Sequence, residues 1–487
     1  MLRWSNSTIN KSLTLLGGQK SLSRAAVRIH KALLGYTGDK SMSFPATLAQ
    51  DILQKGLEMP ELVDEIYIQL CKHLTHNPRP ESQVRAWQVL CMAVGTFPPS
   101  RDFENYMLNF ILQFNEGSGA IGNYARYALR RLEGILNSGP SGFVPSVEEI
   151  QAYKERPPIL ATIELVDGTP LTEELPITPD LNCTKVLDIC THFMELQDPR
   201  MQFFGIFVED IDDDEAEMAN PLEGVGVDEI LEKTPRPLQN ENFMGDVVTV
   251  KVRQNQAFRF VFKRKVYLKN MDDPSEDPMF SRLVYLQAVD EVIKGNVPID
   301  DVEEVAKMVS DFMAVEFGEE MPDTEDGLID EENGQLGEYI PRPWLDHMSI
   351  DEWAEKVLEF RDESIEQDPE ELQNEIVEAV KDHPLYGTCF FHVKKNRFPT
   401  HMDAFPELLI LAFNSEGLHF LDEDKETLAS YGYADVYRWG GSSTQFSLII
   451  WNAETQDTDD VAMYTTQAAD MASLILDYIN SIMSVSE

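Results

Sequence analysis

Apolar positions in residues 1–150 recur every three or four places, the period of helices packed on one side, with turns marked by Gly, Pro and Asn. Leu62, Ile66, Leu70 and Leu74, flanked by Val63, Tyr67 and Cys71, make one broad stripe for burial. Asn77-Pro78-Arg79-Pro80 ends that helix, because proline lacks an amide donor and its ring clashes with a continuing turn. Val84, Trp87, Cys91 and Val94 form the inner face of the next helix, which stops at Phe97-Pro98-Pro99-Ser100. Further helices are expected over 103–115 and 122–137, so this part reads as an all-helical bundle.

The period changes after Gly139-Pro140-Ser141-Gly142 and again after Arg156-Pro157-Pro158. Residues 159–166, a tight turn at Asp167-Gly168, and residues 171–175 read as a hairpin. A helix near 184–196 and strands near 202–208 and 246–252 complete a ubiquitin-like α+β lobe. Residues 258–268 are extended. Residues 279–317 return to amphipathic helices through Leu283, Leu286, Val289 and Val292, and helical patterning resumes over 349–361 and 370–381. Between them, residues 319–338 carry nine acids and no base, which predicts a solvated loop rather than a packed element. The acidic stretch 209–217 reads as a second insertion.

From 387 to 461 the chain is strand-rich, with runs at 389–395, 408–414, 418–421, 435–439, 446–451 and 461–464. A final helix over 467–483 has apolar positions at Ala468, Met471, Ala472, Ile475, Leu476, Ile479 and Met483. Seven strands closed by a C-terminal helix describe a PH/PTB-like β-sandwich.

Composition narrows the function. A chain of 487 residues needs several cores. Its net charge of −45 is unevenly spread: residues 1–150 hold 15 bases and 13 acids, a net of +2, leaving −47 for the remainder. So acidic a body repels nucleic acid and anionic leaflets within a Debye length, about 8 Å at physiological salt. Apolar runs are broken by charge before the roughly 18 to 20 residues that span a bilayer, and the N-terminus has no signal pattern, so a cytoplasmic protein is expected. Cys71, Cys91, Cys183, Cys190 and Cys389 are odd in number and scattered, as core thiols are, and Cys183 and Cys190 have neither a second close pair nor a histidine cluster to make a zinc site.

No phosphate loop, nucleophile elbow, zinc-protease helix or dinucleotide fingerprint is present, and Gly224-Val-Gly226-Val is too short for the last, so neither a catalytic residue nor a cofactor is expected. His73 and His76 flank a helix end, where capping or surface roles are usual. Two binding features stand out. Strand 444–451 beside the closing helix is expected to offer a peptide groove, with Phe446, Leu448 and Ile450 on the strand and Ala468, Ala472 and Ile475 on the helix. Lys20, Arg24, Arg28 and Lys31 are spaced four, four and three apart, so they project together while Leu22, Ala26, Ile29 and Leu33 face inward. Arg126, Arg130 and Arg131 are candidates to extend this basic face toward an acidic partner. Lys263, Arg264, Lys265, Lys269, Lys394, Lys395 and Arg397 are candidate lipid contacts. At about 1 kcal/mol each they do not offset the acidic body, and membrane binding is not expected.

The order of lobes, and several segments, resemble a myosin tail homology 4 domain followed by a FERM domain, as in unconventional myosins of class VII type. Residues 31–39 (Lys-Ala-Leu-Leu-Gly-Tyr-Thr-Gly-Asp), 62–72 (Leu-Val-Asp-Glu-Ile-Tyr-Ile-Gln-Leu-Cys-Lys), Asn77-Pro78, 87–91 (Trp-Gln-Val-Leu-Cys) and 97–100 resemble the first domain. Residues 260–268 resemble the passage into the second FERM lobe, Tyr386-Gly387 with Phe390-Phe391 the entry to the third, and Tyr464-Thr465-Thr466 its end. The resemblance implies domains at 1–152, 157–256, 257–385 and 386–487. It also implies a cargo-binding tail for receptor or adaptor peptides, with microtubules and the tail's own motor as further partners, cytoskeletal association, and localisation to actin-rich protrusions. The competing reading is an ezrin- or talin-like membrane–cytoskeleton linker, which the helical first domain disfavours.

Overall fold

The computed structural model describes residues 3–171, 173–196, 203–211, 236–268, 277–330, 334–453 and 455–486, without the side chains of Arg236 and 484–486. Most of the acidic stretch 209–217, the glycines at 224 and 226, Lys269, and Glu331 and Glu332 of the acidic segment lie outside these residues. The chain divides into two compact bodies. The first comprises residues 1–162, 172–186 and 240–255, and the second residues 163–171, 187–239 and 256–487.

In the first body, α1 (Lys20–Tyr36), α2 (Pro45–Glu58), α3 (Val63–Leu74), α4 (Pro80–Ala93), α5 (Arg101–Asn115), α6 (Gly119–Ser138) and α7 (Val147–Glu155) share one core. Leu62, Ile66, Leu70 and Leu74 are buried in it with Trp87, Cys91 and Val94, so the helical period did select the inner faces. Pro80 opens α4 where its missing amide costs nothing, and a capping box between Ser146 and Glu149 opens α7. Glu65, fully buried on α3, gathers the backbone amides of Leu13 and Thr14 and the Thr14 hydroxyl at 2.6–3.0 Å, fastening the irregular N-terminal strap to the bundle.

β1 (Ile159–Ala161) and β3 (Leu175–Ile177) pair antiparallel in the same body. The expected strand at 246–252 is instead a helix, α9 (Met244–Gln254), following α8 (Cys183–Phe193) in chain order. Its valines suggest a strand, but Asp246 in the first turn, Lys251 and Arg253 in the last, and left-handed Asn255 after it (φ 55°) supply a helix's charges and stop. Arg156 holds this helix to the bundle: its guanidinium lies 3.8 Å from the centre of the Phe243 ring, 3.1 Å from Asp246 and 3.3 Å from the Pro179 carbonyl.

In the second body, β2 (Ile163–Glu164), β4 (Phe204–Asp210), β5 (Arg236–Pro237) and β6 (Phe258–Arg264) form a sheet in the order β2-β6-β4-β5, with β2 parallel to β6. A helical lobe follows: α10 (Pro278–Ile293), α11 (Val302–Phe317), α12 (Glu325–Ile329), α13 (Leu336–Tyr339), α14 (Ile350–Ile365) and α15 (Pro369–Lys381). The acidic segment is therefore not the solvated loop expected. Met321, Leu328, Leu336 and Ile340 are at most 1% exposed, and Arg361 donates to the carbonyls of Met321 and Pro322. Three anchors within the segment and Ile340 just beyond it suffice to pack a stretch whose described charges are exposed.

The third lobe is a single sheet of seven strands: β7 (Cys389–Arg397), β8 (Leu408–Asn414), β9 (Gly417–Leu421), β10 (Thr427–Tyr431), β11 (Val436–Gly441), β12 (Gln445–Asn452) and β13 (Asp457–Tyr464). Its order is β10-β9-β8-β7-β13-β12-β11, and α16 (Ala468–Ser486) closes it. The seventh strand is β10, a short edge whose pattern was too weak to name in advance.

Candidate functional site

The strand expected to line an open groove is internal. β12 pairs with β13 from Gln445 to Asn452 and with β11 on its other side, so its main-chain groups are taken up. Phe446, Leu448 and Ile450 are fully buried, as are Ile475 and, at 2% exposed, Ala468; Ala472 alone is half-buried. These residues seal the lobe. The open edge is one strand over, at β11, which among the described residues pairs only with β12 and packs beside α16. Trp439 bridges strand and helix, its indole N–H donating to the Ala472 carbonyl at 3.2 Å. Gly441 permits the close approach, since a Cβ there would stand 2.7 Å from that of Ala468. On this strand and helix Tyr437 and Leu476 are exposed, and Arg438 is exposed without an ion pair among the described residues. Sequence reasoning took the more hydrophobic strand for the groove. The usable signal was the pair Gly440-Gly441 after an aromatic alternation, which marks a strand drawn close to a neighbour.

The basic helix face is present. Lys20, Arg24, Arg28 and Lys31 lie exposed on α1, and Leu22, Ala26, Ile29 and Leu33 lie buried beneath them. The three arginines of α6 do not join it as free charges. Arg126 donates to the carbonyls of Asn115 and Gly117, tying down the α5–α6 turn. Arg130 pairs with Glu173 and Glu133 and donates to the Glu174 carbonyl. Arg131 points into a cleft of about 190 Å³ with Cys91, Phe143, Tyr153 and Asp180.

The bases weighed as lipid contacts are engaged in the fold. Lys263 reaches Glu291 at 3.0 Å, Lys265 reaches Asp477 at 2.6 Å, and Arg264 is 1% exposed with its guanidinium 4.3 Å from the centre of the Tyr267 ring. Lys394 pairs with Glu407, Arg397 with Asp460, and Lys395 donates to the carbonyls of Met402, Asp403 and Phe405.

One polar cluster escaped the sequence. His73 is 1% exposed rather than at the surface, and its Nε2 lies 3.0 Å from both Asp39 Oδ2 and Ser82 Oγ. This is not a hydrolytic triad: Ser82 donates directly to Asp39 at 2.6 Å, and one imidazole nitrogen faces both partners, so no proton relay runs through the ring. Burial pushes the Asp39 carboxyl up, but hydrogen bonds from Ser82 and Thr37, His73 when it is protonated, and the charge of Arg79 outweigh it and hold the group below its usual range. The cluster fastens the turn after α1 to the start of α4. Among the described residues no group of three or more metal-ligating side chains converges, and no helix is long and apolar enough to cross a membrane.

Comparison with known proteins matches these parts in order. The MyTH4 domain model matches residues 49–152, the FERM central domain model residues 272–391, and the PTB domain (IRS-1 type) model residues 391–483. Myosin-VIIa of Drosophila melanogaster is 24% identical over 469 residues, covering 93% of this chain and 20% of that protein. The chain thus spans about a fifth of the length of such relatives. In structure it is similar to the C-terminal MyTH4-FERM domain of human Myosin 7b, solved in complex with the harmonin-a PDZ3 domain (TM-score 0.51, 21% identity, 99% of this chain and 93% of that one). It is also similar to the MyTH4-FERM MF2 domain of Dictyostelium discoideum Myosin VII (TM-score 0.52, 17% identity, 98% and 91%). Helical domain, FERM lobes and closing PTB-like sheet agree with both: the chain carries a MyTH4 domain followed by FERM-type lobes, and is similar to the MyTH4-FERM tail modules of class VII myosins.

Proposed function

We propose that this module is the cargo- and adaptor-binding part of the tail of an unconventional, actin-based motor, and that it grips extended peptide segments along β11 and α16. The observation that carries the reading is the open edge of β11 beside the half-buried Ala472 and the exposed Leu476. An extended peptide there gains main-chain hydrogen bonds from the strand and sets alternate side chains against the helix. Phe446, Leu448, Ile450, Ala468 and Ile475 form the rigid floor beneath it. That human Myosin 7b binds an adaptor's PDZ domain through the equivalent module supports the class of partner. The same proposal includes the exposed face of α1 as a docking surface for an acidic polymer such as a microtubule, a fold-back contact with the motor, and a cytoskeleton-associated location at actin-rich protrusions. It also includes the absence of catalysis in this chain and the domain division at 1–152, 157–256, 257–385 and 386–487.

Titration calorimetry with extended peptides from receptor and adaptor tails tests the groove. Ala472→Asp places a charge on the helix wall and is expected to weaken a bound peptide at least about tenfold, or about 1.4 kcal/mol, with the circular dichroism unchanged. Equal affinity in a folded variant refutes the groove.

A further inference from the structure

The exposed face of α1 has a counterpart elsewhere in the same chain. Glu355, Glu359 and Glu363 on α14 and Glu366 at its C-terminal cap are all exposed, while Trp353, Ala354 and Val357 face inward. Their spacing is four, four and three, the same as that of Lys20, Arg24, Arg28 and Lys31. At about 1.5 Å rise per residue both rows run about 16 Å along one side of a helix, so the two match charge for charge in parallel and within about one residue's rise in antiparallel. None of the eight forms an ion pair or a side-chain hydrogen bond within the described chain. α1 contains no acid from Lys20 to Tyr36, so nothing on the helix itself neutralises its row.

We propose that the basic face of α1 docks on the acidic face of α14 in a second copy of this chain, giving a salt-sensitive head-to-tail association. This rests on the reading of α1 as a docking face for an acidic partner, and names that partner. Charge distribution selects the polarity. Residues 1–150 carry a net +2 and residues 151–487 a net −47, so acidic-to-acidic contacts are repelled, while the helical domain approaches an acidic surface without that penalty. The rows have no apolar core between them, which makes the contact weak, reversible and dependent on ionic strength.

Sedimentation velocity of the full chain, from about 5 to about 200 μM, is expected to show a concentration-dependent rise in sedimentation coefficient at about 50 mM salt and none at about 500 mM. Reversing one row, K20E/R24E/R28E/K31E, or the other, E355K/E359K/E363K/E366K, leaves each variant monomeric. Mixing the two variants restores association, because each then meets the opposite charge on the other, a result that misfolding does not produce. A wild type that stays monomeric at low salt, association that survives either reversal, or a mixture that stays monomeric overturns the proposal. Microtubule cosedimentation separates this from the underlying reading: a wild-type chain that binds the polymer at low salt yet stays monomeric there sinks the second copy as partner and leaves the basic face standing.

Discussion

Replacing Lys263 tests what holds the lobes of the second body in register. Lys263 leaves β6 and lies 3.0 Å from Glu291 and 3.7 Å from Asp290 on α10. Lys294 of the adjoining turn bridges Asp290 and Glu209, and Arg259 closes the chain of charges on Glu209 at 2.7 Å. Burial pulls the Lys263 ammonium down, but Glu291, Asp290 and Glu209 outweigh it and hold it above its usual value; burial likewise pushes Glu291 up and Lys263 brings it down. With Glu291 4% exposed, Lys263→Met strands a carboxylate whose nearest remaining donor is the Asn296 amide at 2.8 Å. Removing one member of a buried pair costs about 3–5 kcal/mol, whereas replacing both by apolar groups of similar size is close to neutral. Urea unfolding at pH 7 is therefore expected to show Lys263→Met destabilised by about 3 kcal/mol and Lys263→Met/Glu291→Met by much less. Acid supplies a second check. In the single variant the folded pKa of Glu291 rises above its unfolded value, so the folded state binds the extra proton and the deficit shrinks as pH falls from 7 toward 5. A loss under about 1 kcal/mol, or a double variant as unstable as the single one, refutes the account.

Two further outcomes follow from the first body. Burial, with the nearby positive groups, pushes His30 down to about 4, and burial outweighs Asp39 to push His73 to about 4 as well. The unfolded chain titrates near 6.5, so it binds more protons than the folded one below that pH. Stability is lost as pH falls from about 6.5 to about 4, by at most about 3 kcal/mol per histidine. Helical melting temperatures measured across that window should fall, and a flat profile refutes the two buried neutral imidazoles. Gly56→Ala in α2 gains about 1 kcal/mol of helix propensity but sets a Cβ 2.2 Å from the Phe97 ring, and overpacking costs about 1–3 kcal/mol, so thermal unfolding should show net destabilisation.

Periodicity made the bundle and most of the third lobe legible, because an inward stripe such as Leu62–Ile66–Leu70–Leu74 is a property of one segment read alone. The misses share a different cause. Val247, Val248, Val250 and Val252 favour a strand locally, yet this segment's partners, Arg156 and the Phe243 turn, are set by the chain around it. The acidic segment reads as solvated because its nine charges hide three anchors, Met321, Leu328 and Leu336. Asp39, His73 and Ser82 meet only once α1, α3 and α4 are packed. Which strand is the edge is decided by pairing order, which hydrophobicity does not encode: β12 is the more apolar strand because it is the more buried one.

Charge in this chain answers two separate demands, and the division explains why its net value was a poor guide. Inside the second body, Lys263, Lys265 and Arg259 are matched to specific carboxylates, and these pairs fix how β6 meets α10 and α16. Each such pair uses one base and one acid, so the net −47 of residues 151–487 is untouched by it and stands as a surplus of carboxylates. In the first body Arg126 is spent on backbone carbonyls and Arg79, Arg130 and Arg156 on carboxylates, and among the described residues the row on α1 is left free. The contrast between residues 1–150, at +2, and the rest, at −47, is therefore one of composition, and any partner is sorted by which part it meets.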